Sequence, residues 1–322
     1  MATKHAFELL TGIPTEVVPV IELSRFYHER HLGIGSRTPL VIAVSNSGSV
    51  ARVSEAVQRA RLHGSFVLGV TGNLSSPLAQ HSDKVLKLDI PDFESAPGTR
   101  SYAVSVLALL LLAIRFGEVR HNYTMDQAMD YRSDLREQGD LLEALLPEMA
   151  EICAKTAEEW KDFPCFDFVG SGFDYATAWF GHAKILEASG RFAMHTTSEE
   201  WFHLNFFARD AQNLGTVVVA NTTNPAHSRT KEMVKYANVL KRPLMVITDG
   251  GKEDFNNEAA IYVQVPAPKY PISMPLTQFA PICLLASYIA ELIGEKYGRG
   301  CEGDWEFCAD GALVKNSEII VK

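Results

Sequence analysis

A turn made of three serines, an asparagine and a glycine is the part of the sequence most suited to binding an anion. An apolar, strand-like run at residues 40–44 precedes it, a helical pattern follows it, and between them lie Ser45, Asn46, Ser47, Gly48 and Ser49. A helix N-terminus offers unpaired backbone N–H groups and the positive end of the helix dipole, and small hydroxyls add neutral donors. The turn therefore predicts an anion site, with an ordinary Ser/Gly helix cap as the alternative.

The composition of this serine turn limits which anion it can bind. It lacks the Gly-Lys-Ser/Thr ending of a nucleoside triphosphate loop and the Gly-x-Gly-x-x-Gly pattern of a dinucleotide loop. A phosphorylated small molecule, such as a sugar phosphate, is therefore favoured over ATP or NAD. No nucleotide cofactor is expected.

The elements around the turn predict an α/β protein built from two related halves. Apolar, β-branched runs alternate with helical patterns, which is typical of parallel sheets. Predicted strands of the first half cover residues 16–21, 40–45, 66–71 and 84–90. Those of the second half cover residues 166–170, 191–197, 215–221, 244–249 and 260–265. We expect domains at residues 1–150, which include a helical bridge over 122–160, and at 151–297, followed by a tail at 298–322.

Composition indicates a globular protein with no nucleic-acid surface. The 322 residues suit two domains, 47% of them are hydrophobic, and no apolar run approaches the length of about 20 residues that a membrane span needs. The N-terminus has no apolar signal region, which predicts a cytoplasmic protein that does not bind membranes. The net charge of −9 and the absence of a Lys/Arg cluster argue against nucleic acid as a partner.

The five cysteines predict neither disulfides nor a metal site. They are odd in number and scattered, and Cys301 and Cys308 have no His or Cys partner at zinc-finger spacing. Reduced thiols are the simpler interpretation. We expect no metal ion and no other cofactor.

The strand-turn-helix pattern, followed by Ser76-Pro77-Leu78-Ala79 and Asp83-Lys84-Val85-Leu86, resembles the sugar isomerase (SIS) domain. Two such halves are similar to the isomerase module of glucosamine-6-phosphate synthase and to fructosamine-6-phosphate deglycases. The resemblance implies two tandem SIS domains, each a doubly wound, mainly parallel, flavodoxin-like sheet of strand order 2-1-3-4-5 flanked by helices. It further implies a homodimer or higher homo-oligomer.

The resemblance also implies which residues hold the phosphate. Ser45, Asn46, Ser47 and Gly48 match the phosphate-binding turn of the family. The family often has Thr two residues after the Gly, where this chain has Val50, so Ser49 supplies a hydroxyl or that contact is missing. A second element of the family corresponds to residues 94–101, in which Thr99 either faces the phosphate or simply caps a helix.

Residues for proton transfer are implied in the second half and the tail. Glu187 matches the family's carboxylate that moves a proton between C1 and C2, and His203, sixteen residues later, matches a histidine from the neighbouring subunit. A carboxylate can take a proton next to a carbonyl, and an imidazole can exchange one at oxygen. Lys315 occupies the place of a tail lysine that covers the sugar and can form an imine, with an exposed surface lysine as the alternative. His182 and His195 are interpreted as structural.

The start of the chain departs from the family pattern. A helical pattern begins at Lys4, where the family has first a strand and a small-residue turn, so the N-terminal strand of the first SIS domain is missing from the prediction.

The predicted function is a phosphosugar enzyme, either a fructosamine-6-phosphate deglycase or an aldose/ketose isomerase. A non-catalytic regulatory SIS protein that binds a sugar phosphate is the alternative.

Overall fold

The computed structural model describes residues 1–33, 38–90, 98–255 and 259–322, which divide into two compact units. The five-strand unit contains Met1–Thr15 and Leu109–Arg299. The three-strand unit contains Glu16–Ala108 and Gly300–Lys322. The C-terminal tail therefore packs within the same unit as the serine turn.

The secondary structure follows the predicted alternation. In chain order the helices are α1 (Lys4–Thr11), α2 (Ala51–Leu62), α3 (Pro77–Gln80), α4 (Thr99–Val119), α5 (Met125–Trp160), α6 (Tyr175–Ser189), α7 (Ser198–His203), α8 (His227–Val239), α9 (Phe279–Leu292) and α10 (Ala312–Lys315). The strands are β1 (Leu40–Val44), β2 (Phe66–Thr71), β3 (Lys84–Lys87), β4 (Cys165–Val169), β5 (Phe192–Thr196), β6 (Leu214–Val219), β7 (Leu244–Thr248) and β8 (Ile261–Gln264).

The three-strand unit is built on a parallel sheet of order β1-β2-β3. Helix α2 places small and apolar residues at helical spacing on one face, and this face packs on the sheet. The buried core includes Leu32, Val57, Ala60, Val67 and Leu78. The packing of α2 on the sheet fixes the position of its N-terminus, directly after the serine turn.

The predicted strand at residues 16–21 is wrong. Residues 12–19 are irregular, and a short π-helix follows at Glu22–Phe26. Pro19, inside this run, lacks the N–H group that a strand inside a sheet must donate, so the run is unsuited to an internal strand. Among the described residues the first half thus has three strands, and the complete doubly wound sheet predicted for it is not observed.

The five-strand unit has the predicted doubly wound topology. Its parallel sheet has the order β5-β4-β6-β7-β8, which corresponds to 2-1-3-4-5 within this half. Its core includes Val169, Trp201, Val218, Met233 and Val246. The strand order reverses between β4 and β6, and the carboxyl ends of strands at such a point border a crevice in which open α/β sheets bind ligands.

Two helical segments among the described residues differ from the expectation that no apolar run approaches the length of a membrane span. Thr99–Val119 and Pro271–Leu292 each meet the length and composition of a membrane span. The apolar window of the second is 72% buried in the protein, as in the core helix of a globular protein, whereas that of the first is 28% buried. Leu107 and Leu111 on α4 are accordingly exposed. The structure therefore leaves apolar surface on α4.

Candidate functional site

The serine turn has a backbone conformation that requires glycine at its centre. Gly48 has φ of +63°, in the left-handed region. A Cβ atom at this position would overlap the Ser76 hydroxyl and would lie 2.8 Å from the Thr71 Oγ1 atom. The Gly48 carbonyl accepts a hydrogen bond from the Leu78 backbone N–H at 3.0 Å. Glycine is therefore needed both for the turn and for the close approach of α3.

Backbone hydrogen bonds attach the rest of the turn to β2. The Ser45 N–H donates to the carbonyl of Val70 at 3.0 Å. The Asn46 carbonyl accepts from the Gly72 N–H at 3.0 Å and from the Thr71 hydroxyl at 3.0 Å. The path of the turn is thus fixed by hydrogen bonds to β2 and to the residue that follows it.

The side chains of the turn leave donors at the N-terminus of α2. Val50 is the N-cap residue, and its apolar side chain cannot accept a hydrogen bond from the first N–H groups of the helix. The Ser49 hydroxyl donates to the Ser47 hydroxyl at 3.1 Å, and Asn46 and Ser47 are exposed. An anion at this position would meet hydroxyls together with uncapped helix N–H groups, which is the arrangement expected for a phosphate site.

The C-terminal tail contacts the first turn of α2. The Arg52 guanidinium donates to the Ser317 hydroxyl at 3.2 Å, and the Ile320 N–H donates to the Glu55 carboxylate at 2.6 Å. Lys315, at the end of α10, is exposed and lies two residues before Ser317. The structure thereby brings the segment that contains Lys315 to the helix that follows the serine turn.

Glu55 anchors this arrangement as a fully buried carboxylate. It pairs with Arg25 and Arg52 and accepts the Ile320 N–H. Burial would raise the pKa of Glu55, but the hydrogen bonds from Arg25, Ile320 and Arg52 together hold it below its ordinary value. Nothing in the sequence patterns singled out Glu55, because its partners lie up to 265 positions away.

Thr99 is the first residue of α4 and does not hold the cap position. Gly98 lies before it, and the Gly98 carbonyl accepts hydrogen bonds from the Tyr102 N–H at 3.0 Å and the Ser101 hydroxyl at 2.9 Å. The first residues of this element, 94–97, lie outside the described residues. Thr99 is in the three-strand unit with the serine turn, and its phosphate contact stays a prediction.

Glu187 lies in the last turn of α6, which ends at Gly190 with φ of +69°. Its side chain is 43% exposed and forms an ion pair with Lys184. The guanidinium of Arg299 donates to the carbonyl oxygens of Leu186 and Glu187 at 3.2 and 2.6 Å. Glu187 is therefore an accessible carboxylate at the C-terminal end of α6, where Arg299 binds the last carbonyl groups of the helix.

His203 is the last residue of α7, and its side chain is 63% exposed. Its Nε2 atom lies 3.3 Å from the Glu199 carboxylate, which also accepts a 2.6 Å hydrogen bond from Arg229. The hydrogen bonds from Arg229 and His203 lower the pKa of Glu199. No hydrogen bond or ion pair joins His203 to Glu187 among the described residues, so the chain folded by itself does not pair these two side chains.

The crevice of the five-strand unit contains a buried carboxylate that the sequence analysis missed. Asp174, just before α6, is 2% exposed. Its oxygens accept hydrogen bonds from the Asn221 N–H at 3.1 Å and from the side chains of Asn224 and Gln278 at 2.7 Å. Burial raises the pKa of Asp174 to about 6 against these hydrogen bonds. Asp174 thus links the segment after β4 to the segment after β6 at the point where the strand order reverses.

His182 and His195 form a pair beside β5. Their Nδ1 atoms are 3.1 Å apart and their rings stack with centroids 4.9 Å apart. Burial lowers the pKa of both imidazoles. Within the described ranges no group of three His, Cys, Asp or Glu side chains could hold a metal ion. The interpretation of this pair as structural stays a prediction.

Comparison with known proteins identifies the kind of fold that holds these residues. Residues 1–115 match the SIS domain family. The chain is 28% identical over 291 residues to the isomerizing glutamine-fructose-6-phosphate aminotransferase of Thermus thermophilus, covering 90% of this chain and 47% of that protein. The chain thus spans about half the length of the curated relatives it matches.

Solved structures agree with this similarity at the level of the fold. The C-terminal domain of glucosamine-fructose-6-phosphate aminotransferase from Francisella tularensis superposes with a TM-score of 0.78 at 18% identity, covering 92% of this chain and 82% of that one. Tagatose-6-phosphate ketose/aldose isomerase from Escherichia coli gives a TM-score of 0.72 at 14% identity, covering 91% and 79%. The resemblance to the SIS family and its parallel α/β fold are confirmed.

Proposed function

Because the chain carries a SIS domain at residues 1–115 and is similar to phosphosugar isomerases, we propose that it is a phosphosugar-processing enzyme. It moves a proton between C1 and C2 of an open-chain sugar phosphate, either as a fructosamine-6-phosphate deglycase or as an aldose/ketose isomerase. The observation that carries the proposal is the serine turn, whose glycine-dependent backbone presents hydroxyls and an uncapped helix N-terminus. These groups bind the phosphate.

In this proposal Glu187 is the base. Its carboxylate takes the proton from the carbon next to the carbonyl and returns it to the neighbouring carbon. In the isomerase reaction this interconverts ketose and aldose phosphates. In the deglycase reaction the proton moves from C1 to C2, the C1–N bond becomes an imine, and water adds to C1 to release the amine and an aldose phosphate. The ammonium of Lys184, paired with Glu187, stabilises negative charge that develops on the sugar oxygen.

His203 and Lys315 complete the proposed site. His203 exchanges protons at the sugar oxygens, and Lys315 covers the sugar from the tail. The contacts of Ser317 and Ile320 with Arg52 and Glu55 support this role for the tail, because they hold it along α2. Within one chain Glu187 pairs with Lys184, whereas His203 contacts Glu199. In this proposal His203 therefore acts in the site of a second subunit.

A homodimer is part of the proposal. Leu204 and Phe207, which follow His203, are 65% and 71% exposed. Exposed apolar side chains of this size next to a proposed catalytic residue support a subunit interface there. We place the activity in the cytoplasm, without nucleic-acid or membrane partners and without a cofactor.

The tandem arrangement is also proposed. Strands β1, β2 and β3 pair in the same parallel order as β6, β7 and β8, with Val44 opposite Val70 as Val219 is opposite Ile247. The serine turn follows β1 as residues 220–224 follow β6. This correspondence supports a second SIS-type half in the five-strand unit.

A non-catalytic sugar-phosphate sensor is the second candidate. The observation that favours it is that Glu187 and His203 have no bond to each other, which is also the arrangement of a domain that binds a sugar without transforming it. The two candidates share the phosphate site and differ only in turnover.

The test combines ligand binding with turnover. Thermal unfolding is measured with glucose 6-phosphate, fructose 6-phosphate and a fructosamine 6-phosphate, where a ligand at 100 times its Kd adds about 2.7 kcal/mol. Glu187→Gln should keep the thermal shift and lose turnover. Glu158→Gln is the matched control, since Glu158 is also an exposed helical carboxylate paired with a lysine three residues away. Binding without turnover by the wild type would favour the sensor, and no shift with any ligand would contradict both candidates.

A further inference from the structure

His203 is exposed, but the residues on either side of it are anchored in the core. Trp201 is fully buried and Asn205 is 4% exposed, whereas the His203 side chain is 63% exposed. Helix α7 has only six residues and ends at His203. A helix of this length has little stability of its own. The position of His203 therefore depends on what holds its two neighbours.

One buried carboxylate binds both neighbours. Asp167, on the interior strand β4, is fully buried. Its Oδ2 atom accepts a hydrogen bond from the indole Nε1 of Trp201 at 3.0 Å, and its Oδ1 atom accepts one from the side-chain amide of Asn205 at 2.7 Å. The segment that contains His203 is thus tied at two points to the sheet.

Arg242 completes the network from the other side. Its guanidinium is fully buried, donates to Asp167 Oδ2 at 3.0 Å and also donates to the backbone carbonyl of Asn205. It lies 5.1 Å from the ring centre of Trp201. Buried charges of this kind are costly to remove from water, and replacing such a pair with apolar residues is often neutral for stability. A gain in stability therefore does not by itself explain the ion pair between Asp167 and Arg242.

We propose that Asp167, Arg242, Trp201 and Asn205 act together as positioning residues for His203. This inference rests on the proposed role of His203 in proton transfer. Acid–base catalysis needs the imidazole within hydrogen-bond distance of the sugar oxygen, and a shift of about 1 Å can cost about 100-fold in rate. Asp167 sets this distance because it fixes the chain two residues before and two residues after His203.

Two mild substitutions test the proposal without breaking the ion pair. Asn205→Ala removes one donor to Asp167 and keeps the backbone carbonyl that Arg242 binds. Trp201→Phe removes the other donor and leaves a smaller aromatic ring in the same place. Each should lower kcat by about 10- to 100-fold, because a misplacement of about 1 Å can cost about 100-fold in rate, while KM stays within twofold. In a His203→Gln background, the same substitutions should have no further effect on kcat.

A matched control separates positioning from general loss of stability. Ser273→Ala removes a hydroxyl that donates to the buried carboxylate of Asp134, another buried network in the same unit. It should lower Tm by a similar amount and leave kcat unchanged. Nuclear magnetic resonance of labelled histidine gives a readout that needs no substrate, because the His203 signal should broaden in Asn205→Ala and stay sharp in Ser273→Ala.

The outcomes distinguish this inference from the proposed function. If His203→Gln is inactive while Asn205→Ala and Trp201→Phe keep the wild-type kcat, the positioning role is wrong and the function stands. Equal losses of kcat with and without His203 would also overturn it, because the network would then act on something else. Full activity of His203→Gln would show that His203 takes no part in turnover, and it would overturn this inference as well.

Discussion

The guanidinium of Arg299 donates to the backbone carbonyl of Glu187 at 2.6 Å, and to that of Leu186 at 3.2 Å. Carbonyls in the last turn of a helix have no partner within the helix, and a cation there also interacts favourably with the helix dipole. Arg299 therefore holds the end of α6 on which the proposed base is placed. It comes from the segment after α9, 112 positions away.

Arg299→Ala should loosen the end of α6 around Glu187. We expect a loss of about 1 kcal/mol in the free energy of unfolding, typical of a helix-end cation, and a several-fold lower kcat with unchanged affinity for the sugar phosphate. Glu295→Gln is the control, because it removes the 3.4 Å ion pair of Arg299 and keeps the bonds to the carbonyls. A normal kcat for Arg299→Ala would show that the end of α6 is held without it.

Gly48→Ala should abolish phosphate binding. The left-handed φ costs an alanine about 1–2 kcal/mol, and the methyl group would also overlap the Ser76 hydroxyl. Gly303→Ala in the same unit is the matched control, since Gly303 has φ of +59° and open space around its Cβ position. Thermal shifts with glucose 6-phosphate should persist in Gly303→Ala and vanish in Gly48→Ala. Equal shifts in both variants would contradict the serine turn as the phosphate site.

Asp174 should make the stability of the protein depend on pH. Its pKa in the folded state is about 6, above the unfolded value of about 3.9. The folded protein therefore binds the proton more tightly, so the contribution of Asp174 to stability falls as pH rises from about 4 to about 6. A shift of about two units corresponds to about 3 kcal/mol. Denaturant unfolding of wild type and Asp174→Asn at several pH values should diverge over this range, and parallel curves would refute the shift.

Lys315→Gln should separate turnover from stability. Because the side chain is exposed, the free energy of unfolding should change by less than about 0.5 kcal/mol. Turnover should fall, since the amine that covers the sugar is lost, while the thermal shift with inorganic phosphate stays. Lys155→Gln, at another exposed lysine, should change neither quantity. Unchanged turnover in Lys315→Gln would leave this lysine an ordinary surface residue.

Local patterns predicted much of the fold. The strand run at residues 40–44, the serine turn and the α2 pattern were all correctly located, because periodicity and turn residues are properties of neighbouring positions. The strand predicted at residues 16–21 is not observed, because Pro19 interrupts its β-branched run and has no N–H group to donate to a sheet.

The supporting contacts of the candidate site could not be predicted in the same way. The pairing of Lys184 with Glu187 could have been predicted from the sequence, because the two residues are three positions apart on one helix. Arg299, Asp167 and Arg242 were not, because a buried charge shows no periodicity and its partner is chosen by the tertiary fold.

The central claim is that Glu187 moves a proton between C1 and C2, and following deuterium through the reaction tests it most directly. Fructosamine 6-phosphate carrying deuterium at C1, or glucose 6-phosphate carrying it at C2, is incubated with wild type, Glu187→Gln and Glu158→Gln, and the label is followed by nuclear magnetic resonance. The account predicts that deuterium leaves its carbon with the wild type and Glu158→Gln, and stays with Glu187→Gln although that variant still binds the sugar phosphate. Retention of the label on both substrates by the wild type, or its loss with Glu187→Gln, would contradict the account.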